Sequence, residues 1–409
     1  MDIPVTRRVL RLIDTPVFQR LKSISQLGLV SQVYPAAHHT RFEHSLGVYR
    51  NCLLFVRQLS WDERFAAKVN ADDIEALLLA ALFHDVGHWP FCHPIEDMDL
   101  EGLPRHESLA SDWLAHESVV QCVDADWNTS IDRVVRIINK QGDNETDRLL
   151  ASILSGPIDI DKFDYLYRDS LHAGVPYGQN FDSRRLIRSL CLNEAGDRLA
   201  ITRKGRTAAE LMVFARYVMF SEVYWHHAVR SATSMLQRAF FRNKEFDWVP
   251  EFLLGESEFV SRWRERLEPG SNPSRMLDGL FGEGRKLFKR AANFSFVDHE
   301  ELYRSLAQQP YTSLVEIGER LGKEISGSLS SDDILIDAPP VKLEVQFNVD
   351  VYDSRDDSWR PLGEVSPVVH TLAKKQFDDY VKQVRIFVRP EVASELSQVD
   401  WIDMLKKIG

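Results

Sequence analysis

A short apolar run that ends in a polar pair is the strongest constraint on how this chain folds. Residues 76–83 read ALLLAALF and are followed directly by His84 and Asp85. A helix of this composition is expected to be buried. A histidine or aspartate at its end then costs several kcal/mol unless it is paired or bound to a metal. Gly87 allows the chain to turn sharply just afterwards. The sequence therefore predicts a buried polar centre at the end of a core helix.

The composition excludes several classes of protein. The chain has 409 residues, 44% hydrophobic and 10% aromatic, which is enough to bury a substantial core. A formal net charge of −11 argues against a broad surface for duplex DNA or an anionic membrane. No apolar stretch approaches the roughly 18–20 residues of a membrane helix, and the opening MDIPVTRR contains no apolar signal core. Dispersed cysteines without a CxxC pair indicate neither a disulfide framework nor a thiolate zinc site. We therefore expect a cytoplasmic globular protein.

The periodicity of apolar residues predicts a mostly α fold. Three-to-four spacing, typical of amphipathic helices, occurs at 9–21, 46–59, 74–83, 108–114, 131–138 and 208–236. Near residue 326 the pattern changes. Residues 342–351 and 384–388 read as strands, and residues 366–381 between them read as a helix. We therefore expect a helical domain over residues 1–325 and a small α+β domain over residues 326–409.

Three short segments concentrate histidines beside acidic residues and arginines. They are HHTRFEHS at 38–45, FHDVGHWPFCH at 83–93 and DIDKFDYLYRDS at 159–170. Together they supply two imidazoles and two carboxylates, from His44, His84, Asp85 and Asp161. This donor set suits one divalent ion, such as Mn, Mg, Fe, Ni or Zn. An isolated His-Asp pair is more often a helix cap with a solvated aspartate, but the accompanying histidines favour a metal site.

Two cations lie next to these ligands in the sequence. Two carboxylates already balance a divalent ion, so a polyphosphate substrate would need separate positive charges. Arg41 lies one helical turn before His44, and Lys162 directly follows Asp161, so both could hold phosphate oxygens close to the metal. Either residue taken alone could equally be an ordinary surface charge.

The order of the motifs resembles that of a known enzyme family. TRFEHSLGV, HDVGHWPFCH, HES and DIDKFDYLYRDS occur in this order after the opening segment IDTPVFQRLKSISQLGLVSQVYPAAHH. The set resembles the HD-domain metallophosphohydrolases, and more narrowly their deoxynucleoside triphosphate triphosphohydrolase branch. The resemblance covers about residues 10–230, and the remainder is similar to bacterial members in layout only.

The resemblance implies an activity and a set of site residues. A metal-activated water or hydroxide would attack the α-phosphorus of a deoxynucleoside triphosphate (dNTP) and release the whole triphosphate. The implied metal ligands are His44, His84, Asp85 and Asp161, and the implied acid–base cluster is His88, His93, Glu96 and His106. The implied phosphate and substrate contacts are Arg41, Lys162, Tyr165 and Arg216. The implied sugar contacts are Gln26 and Asp169 at the 3′-hydroxyl, with Tyr224 crowding the 2′ position.

The acid–base role also has a physical argument. A histidine held by a carboxylate can protonate a departing oxygen or orient a nucleophile, which is worth about 10²–10⁴-fold in rate. His88 with Glu96, or His106 with Glu107, could form such a pair. Each histidine alone is more often structural, and the two tyrosines could equally be ordinary core residues.

Two departures from the family pattern concern base contacts and regulation. Phe220 stands where the mammalian-type enzymes have a histidine. Asp14, Gln19 and Lys22 match the guanine-reading positions of an effector site between subunits, with Lys22 in place of an arginine. Lysine lacks the two parallel N–H donors with which an arginine guanidinium can bind guanine. The resemblance suggests a guanine-nucleotide effector and a homo-oligomer, either a dimer or a tetramer.

Two other functions stay open at this point. One is an HD phosphohydrolase with another substrate, such as a nucleoside monophosphate, a cyclic nucleotide or a phosphorylated alarmone. The other is a non-catalytic protein that senses nucleotides or binds nucleic acid. Basic clusters at 183–188, 203–206 and 284–290 are solvated helix faces or loops by default. They could instead form a second anion site, an oligomer interface or a surface for single-stranded nucleic acid.

Overall fold

The computed structural model describes residues 2–142, 144–339, 349–372 and 381–408, and most of them are helical. The α-helices before residue 190 are α1 (Arg7–Ile13), α2 (Pro16–Gln19), α3 (Arg41–Leu59), α4 (Glu63–Lys68), α5 (Ala71–Phe83), α6 (Cys92–Glu96), α7 (His106–Leu114), α8 (Glu117–Asp126), α9 (Ile131–Ile138), α10 (Glu145–Leu154), α11 (Ile160–Ala173) and α12 (Ser183–Arg188). Those that follow are α13 (Arg206–Met219), α14 (His227–Phe241), α15 (Glu256–Glu265), α16 (Asn272–Phe281), α17 (Glu300–Leu306), α18 (Tyr311–Ile325), α19 (Leu362–Val365), α20 (Pro367–Thr371) and α21 (Trp401–Ile408).

Two of these helices begin at side-chain caps that fix where the site residues lie. Asn70 accepts a hydrogen bond from the Asp73 backbone N–H at 3.0 Å, at the start of α5. Asp159 accepts from the Lys162 backbone N–H at 2.6 Å, at the start of α11. Such caps satisfy backbone donors that have no partner within the helix. Residues 76–83 are all buried, so the predicted burial of this run is confirmed.

Two of the predicted helices are interrupted. Residues 9–21 form α1 and α2 because Pro16 cannot donate a backbone hydrogen bond, and Thr15 caps α2 by accepting from the Phe18 N–H at 3.3 Å. Residues 208–236 are divided between α13 and α14, with a π-helical turn at Phe220–Tyr224 between them. π-Helical turns are frequent at functional sites, and this one ends at a predicted substrate contact.

Two small sheets complete the fold. Their strands are β1 (Leu190–Leu192), β2 (Leu199–Thr202), β3 (Lys289–Phe294), β4 (Ile334–Asp337), β5 (Asp350–Asp353), β6 (Ser358–Pro361) and β7 (Val384–Val388). One sheet has the order β1-β2-β5-β6, in which β2 and β5 run parallel with Ile201 opposite Val351. The other has the order β3-β7-β4 and is antiparallel throughout.

Both sheets join strands from the two sides of residue 326. β5 and β6 extend the hairpin of β1 and β2, and β3 pairs with β7. The predicted fold class, mostly α with a small α+β region toward the C terminus, is confirmed. The predicted division into residues 1–325 and 326–409 stays a prediction.

The predicted elements of the C-terminal region are partly visible. The strand predicted at 384–388 is β7. Of the strand predicted at 342–351, residues 342–348 lie outside the described residues, and the end of the segment belongs to β5. Of the helix predicted at 366–381, α20 is described, and residues 373–380 lie outside the described residues.

The site lies where two groups of buried side chains meet. One group fills the space around α3, α5 and α11 and includes Val86. The other surrounds α14 and α15 and includes Trp89. The turn that follows α5 therefore runs along the junction of the two cores. Among the described residues, none of the helices combines the length and apolar character needed to cross a membrane.

Candidate active site

The four predicted metal ligands come together at the end of α5. His44 lies on α3, His84 and Asp85 directly follow α5, and Asp161 lies in the first turn of α11. The Nε2 atom of His44 is 3.2 Å from His84 Nε2 and 3.2 Å from Asp161 Oδ1. The Asp85 oxygens lie 3.6 Å from His44 Nε2 and 3.5 Å from His84 Nε2. Two imidazoles and two carboxylates therefore face one small volume.

The His44 ring is oriented by a buried carboxylate that the sequence analysis did not identify. His44 Nδ1 donates to Asp164 Oδ2 at 2.9 Å, so Nε2 is the nitrogen that can bind a cation. Asp164 also accepts from Arg168 Nε at 2.7 Å and Nη2 at 2.8 Å. A Cβ at Gly47 would lie 1.8 Å from Asp164 Oδ1, so a glycine is required where α3 meets α11. Carboxylates of this kind fix the tautomer of metal-binding histidines.

His84 is oriented by the backbone of its own helix. Its Nδ1 donates to the Ala81 carbonyl oxygen at 3.1 Å, because the ring folds back over the last turn of α5. The Nε2 atom of His84 therefore also presents a lone pair to the shared volume.

The electrostatics of this volume favour positive charge. Burial alone would lower the pKa of His44, but hydrogen bonds to Asp161 and Asp164 and the charge of Asp85 outweigh burial and raise the pKa to about 10. Burial would raise the pKa of Asp85, but the surrounding histidines and Arg41 hold it well below its usual value. The pKa of Asp161 is also lowered, because its contacts with His44 outweigh burial. The ionised carboxylates that stabilise a proton on His44 also create a negative potential, which attracts a divalent cation to the same volume.

The predicted acid–base residues form a second cluster beside these ligands. His106 Nδ1 donates to Glu96 Oε2 at 2.8 Å, and the His106 backbone N–H donates to Glu96 Oε1 at 2.6 Å. The His88 ring lies against His106 with centroids 4.1 Å apart, and its Nε2 is 3.2 Å from His93 Nε2. Among the described hydrogen bonds, Glu96 holds His106 and not His88. Glu107, the other predicted partner of His106, is exposed and lies 3.5 Å away.

Two backbone features produce this second cluster. A Cβ at Gly87 would lie 2.0 Å from the His106 carbonyl oxygen, so only glycine lets the turn after α5 approach the start of α7 this closely. Phe91 has a φ of 54°, in the left-handed region, immediately before α6. For a residue other than glycine this costs about 1–3 kcal/mol, and such strain concentrates at functional sites. The bend carries His93 back toward His88.

The two clusters are connected through Asp85. His88 Nδ1 lies 3.2 Å from the Asp85 carbonyl oxygen and 3.3 Å from Asp85 Oδ1. Burial, followed by the charge of Arg41, lowers the pKa of His88 well below its usual value. His88 is therefore neutral near pH 7, with its proton on Nδ1 and a lone pair on Nε2.

Arg41 contacts the predicted metal site directly. Its Nη1 donates to Asp85 Oδ2 at 2.6 Å, and the side chain is buried. Its Nε is buried without a hydrogen-bond partner among the described residues. A buried guanidinium with a donor to spare beside a cation site is suited to hold an anionic group of a ligand.

The other predicted phosphate contacts gather along α11 and α13. Lys162 Nζ donates to Asp159 Oδ2 at 2.6 Å, so this cation already has a buried carboxylate partner. Burial raises the pKa of Tyr165, while Arg216 and Lys162 oppose that rise. Tyr165 therefore lies within electrostatic reach of both cations, and the structure brings all three predicted contacts together.

A chain of hydrogen bonds joins the three predicted sugar contacts. Tyr224 Oη donates to Asp169 Oδ2 at 2.6 Å, and His39 Nε2 donates to Asp169 Oδ1 at 2.8 Å. The Gln26 backbone N–H donates to the His39 carbonyl oxygen at 2.9 Å. Gln26 Oε1 is buried and has no hydrogen-bond partner in the part of the chain that the structure describes. His39, which the sequence analysis did not name, therefore connects Gln26 to Asp169 and Tyr224.

A cavity of about 190 Å³ opens beside these groups. Gln26, Arg41, His93 and Tyr224 all contribute to its wall. It therefore touches predicted sugar, phosphate and acid–base contacts at once. A larger cavity, of about 920 Å³, lies between α16 and the segment after β7, and the described residues that line it include none of the predicted site residues.

The predicted effector residues lie on the surface rather than in this cavity. Lys22 Nζ donates to Gln19 Oε1 at 2.6 Å and lies 4.7 Å from the centre of the Phe42 ring. Asp14 is exposed at the C-terminal end of α1. Phe220, in contrast, packs next to the site, with its ring centroid 5.0 Å from that of Tyr224.

Known protein families and solved structures are similar to this chain over most of its length. The sequence matches the HD domain over residues 41–166 and the HD associated region over residues 181–402. An uncharacterised protein of Methanocaldococcus jannaschii is 30% identical over 413 residues, covering 100% of this chain and 81% of that protein. The deoxynucleoside triphosphate triphosphohydrolase SAMHD1 homolog of Dictyostelium discoideum is 26% identical over 425 residues, covering 99% of this chain and 79% of that protein. The crystal structure of a hypothetical protein from Aquifex aeolicus superposes with a TM-score of 0.74 at 28% identity, covering 97% of this chain and 96% of that one.

These matches define the class of the protein. The chain belongs to the HD-domain family of metal-dependent phosphohydrolases, whose members bind divalent metal ions. Within that family it belongs to the branch that contains the SAMHD1-type triphosphohydrolases.

Proposed function

We propose that this protein hydrolyses dNTPs to deoxynucleoside and inorganic triphosphate, with one divalent ion held by His44, His84, Asp85 and Asp161. The observation that carries the proposal is the adjacency of three features. A donor set for a cation lies beside a histidine cluster that is held by a carboxylate. His93 of that cluster and Arg41, which donates to the predicted metal ligand Asp85, line a cavity that also has aromatic side chains in its wall.

The chain's own residues have separable tasks in this reaction. When bound, a divalent ion supplies Lewis-acid polarisation of a phosphoryl oxygen and lowers the pKa of a water. His106 is held at Nδ1 by Glu96, so its Nε2 can hold or deliver a proton near the departing 5′-oxygen. His88 is neutral and faces His106, so it can accept or pass on that proton.

The positive side chains support a polyanionic substrate. Arg41 lies at the metal ligands, and Lys162 and Arg216 lie within electrostatic reach of Tyr165. Because Arg41 and Lys162 are each paired with a carboxylate, they neutralise the site before substrate arrives and can exchange those partners for phosphate oxygens. This supports a nucleotide with several phosphates as the substrate.

The preference for a deoxyribose rests on Tyr224. Its hydroxyl is held by Asp169, so the ring has a fixed position in the wall of the cavity. A ring fixed beside the 2′ carbon leaves no room for an added hydroxyl group, and this steric exclusion would favour deoxyribonucleotides.

The decisive experiment identifies the products. The purified protein is incubated with each dNTP and each NTP in the presence of Mn²⁺ or Mg²⁺, and the products are separated by ion-exchange chromatography. We expect intact triphosphate from the dNTPs and little product from the NTPs. Phosphate or pyrophosphate instead of triphosphate would favour a phosphohydrolase with another substrate. Nucleotide binding without any metal-dependent product would favour a non-catalytic sensor.

A matched pair of variants links the product to the site. Asp161→Asn removes one carboxylate from the donor set and should abolish both metal retention and turnover. Asp124→Asn makes the same chemical change at an exposed position on α8 and should change neither. Retention of both properties by the Asp161 variant would remove this residue from the site.

Activation by a guanine nucleotide and assembly into a dimer or tetramer stay predictions from the resemblance. Lys22 donates a hydrogen bond to Gln19 and stands where the family has an arginine. A lysine cannot make the two parallel hydrogen bonds of an arginine guanidinium, so we expect weak binding of guanine. If the rate with dATP rises hyperbolically and is unchanged by added dGTP, the effector prediction is wrong.

A further inference from the structure

One group of side chains in the acid–base cluster has a composition that proton transfer does not require. His88, Cys92, His93 and His106 each place one potential ligand atom within 4.8 Å of all the others. We propose that these four residues form a second metal site, selective for a soft or borderline ion such as Zn²⁺, and that its occupation inhibits the enzyme. The binding site itself does not depend on the reaction, whereas the inhibition rests on the proposed function.

The distances suit a tetrahedral zinc site after small side-chain movements. Zinc–nitrogen bonds of about 2.0–2.1 Å place two imidazole nitrogens about 3.3 Å apart in a tetrahedron. The Nε2 atoms of His88 and His93 are 3.2 Å apart in the structure. The remaining ligand atoms lie within 4.8 Å of one another, so they need to approach by up to about 1.5 Å to reach tetrahedral separations.

The hydrogen bonds around the cluster leave the required lone pairs facing inward. His88 is engaged at Nδ1 by the Asp85 carbonyl oxygen, and His106 is engaged at Nδ1 by Glu96. On both rings Nδ1 is therefore occupied by an outer acceptor, and Nε2 is the nitrogen left to bind a metal. An outer acceptor on each ligating imidazole is the usual arrangement at zinc sites. The outer partners of this site are thus already in place.

Cys92 supplies the soft donor. It occupies the first position of α6, directly before His93, and only 3% of its surface is exposed. Burial raises the pKa of its thiol, so without metal the group is protonated. Coordination replaces the sulfur–hydrogen bond with a sulfur–metal bond and releases that proton to solvent. The spacing of the cysteines did not predict this site, because only one of its ligands is a cysteine. The other three are histidines, which are positioned by the turn after α5 and by α7.

The two neighbouring sites differ in the ions they prefer. The set of His44, His84, Asp85 and Asp161 contains two hard carboxylates and accepts Mg²⁺ or Mn²⁺, whereas three imidazoles and a thiolate disfavour both ions. A zinc ion at the second site would take the Nε2 lone pairs of His88 and His106. Proton transfer in the proposed reaction uses the same lone pairs. Zinc would therefore act as an inhibitor rather than an activator.

A third possible group, Glu96 with His106 and Glu107, is less suitable. Both oxygens of Glu96 accept hydrogen bonds from His106, and Glu107 is largely exposed. Glu96 is better described as the outer partner of a ligating His106.

Cobalt provides a spectroscopic test that does not depend on activity. The full-length protein is stripped with a chelator and titrated with Co²⁺. We expect a near-ultraviolet sulfur-to-cobalt charge-transfer band with the intense visible bands of a tetrahedral site. Cys92→Ser should abolish the charge-transfer band. The matched control Cys122→Ser, at another buried cysteine, should leave it intact, and so should Asp161→Asn. Absence of the band in the native protein, its persistence in the Cys92 variant or its loss in the Cys122 variant would overturn the site.

Metal content and inhibition complete the test. With excess Zn²⁺ the native protein should hold two ions per chain and the Cys92→Ser variant one. Zn²⁺ should inhibit Mg²⁺- or Mn²⁺-dependent turnover, and the Cys92→Ser variant should require about tenfold more zinc or higher for the same inhibition. Equal sensitivity of the two proteins would refute the inhibitory role. If the native protein shows no turnover with any nucleotide, the proposed function fails, while the cobalt spectrum still decides whether the metal site exists.

Discussion

Replacing Asp164 with asparagine tests whether the orientation of His44 controls metal binding. Asp164 is buried and accepts three hydrogen bonds, one from His44 and two from Arg168. An asparagine at this position has one oxygen acceptor and one amide group that only donates. At least one of the three N–H donors of His44 and Arg168 would then face the amide N–H group of the asparagine. The size and shape of the side chain are otherwise unchanged.

The expected magnitude follows from this loss. Removing the carboxylate partner of a metal-bound histidine typically lowers metal affinity by about 10–100-fold, which corresponds to about 1.4–2.7 kcal/mol. In the Asp164→Asn variant the largely buried Arg168 guanidinium also loses the negative charge of its partner. We therefore expect the variant to unfold more readily than the native protein in both the metal-free and the metal-loaded forms. The loss of metal affinity adds a further decrease in stability that appears only in the metal-loaded protein.

Isothermal titration with Mn²⁺ gives the affinity, and thermal unfolding with and without Mn²⁺ separates the two contributions to stability. Asp124→Asn, on the exposed face of α8, is the matched control and should leave both measurements unchanged. An Mn²⁺ affinity within about twofold of the native value in a folded Asp164→Asn protein would refute the reasoning. His44 would then be positioned by the helix packing alone.

Three further perturbations have defined outcomes. Gly87→Ala places a Cβ 2.0 Å from the His106 carbonyl oxygen, so the free energy of unfolding measured in urea should fall by about 1–3 kcal/mol; an unchanged value would show that the turn can move. Glu96→Gln should lower kcat by about 10²-fold with little effect on Mn²⁺ affinity, and an equal loss of both would assign Glu96 to the metal instead. Tyr224→Ala should reduce the ratio of kcat/KM for dATP over ATP by about tenfold or more, whereas Tyr224→Phe, which loses only the hydrogen bond to Asp169, should largely retain the ratio. Equal ratios in the two Tyr224 variants would exclude steric selection by the ring.

The sequence was sufficient to predict which groups gather at the site. His84 and Asp85 follow an apolar run that has to be buried, so their place near the core is dictated locally. The proximity of His44 and Asp161 to that pair was an inference from motif order, and the structure shows both within 4 Å of His84. The roles of these residues as ligands stay predictions until a metal is measured.

The partners of these groups were harder to predict, because they depend on how helices pack. Asp164 lies three residues after Asp161 and so shares its helix face, which is a signal that could have been read. Its contact with His44 nevertheless requires the close approach of α3 and α11 that Gly47 permits. In the same way, the sequence analysis paired Glu96 with His88 and Glu107 with His106, whereas the structure pairs Glu96 with His106.

The short strands were missed for a different reason. β1, β2 and β3 have three to six residues each, so their alternation is too brief to separate from a loop or helix pattern. β3 begins within the basic cluster at 284–290, which was interpreted as a solvated helix face or loop. Its partner β7 lies about ninety residues further along the chain, and no local pattern encodes such a pairing.

The parallel pairing of β2 with β5 has a consequence for the order in which the protein is made. Ile201 follows α11 by fewer than thirty residues, yet its neighbour Val351 emerges from the ribosome about 150 residues later. At a synthesis rate of about 5–20 residues per second, the edge of β2 would stay open for roughly 8–30 seconds. A chaperone, or a second nascent chain offering the same strand, would have that interval in which to bind.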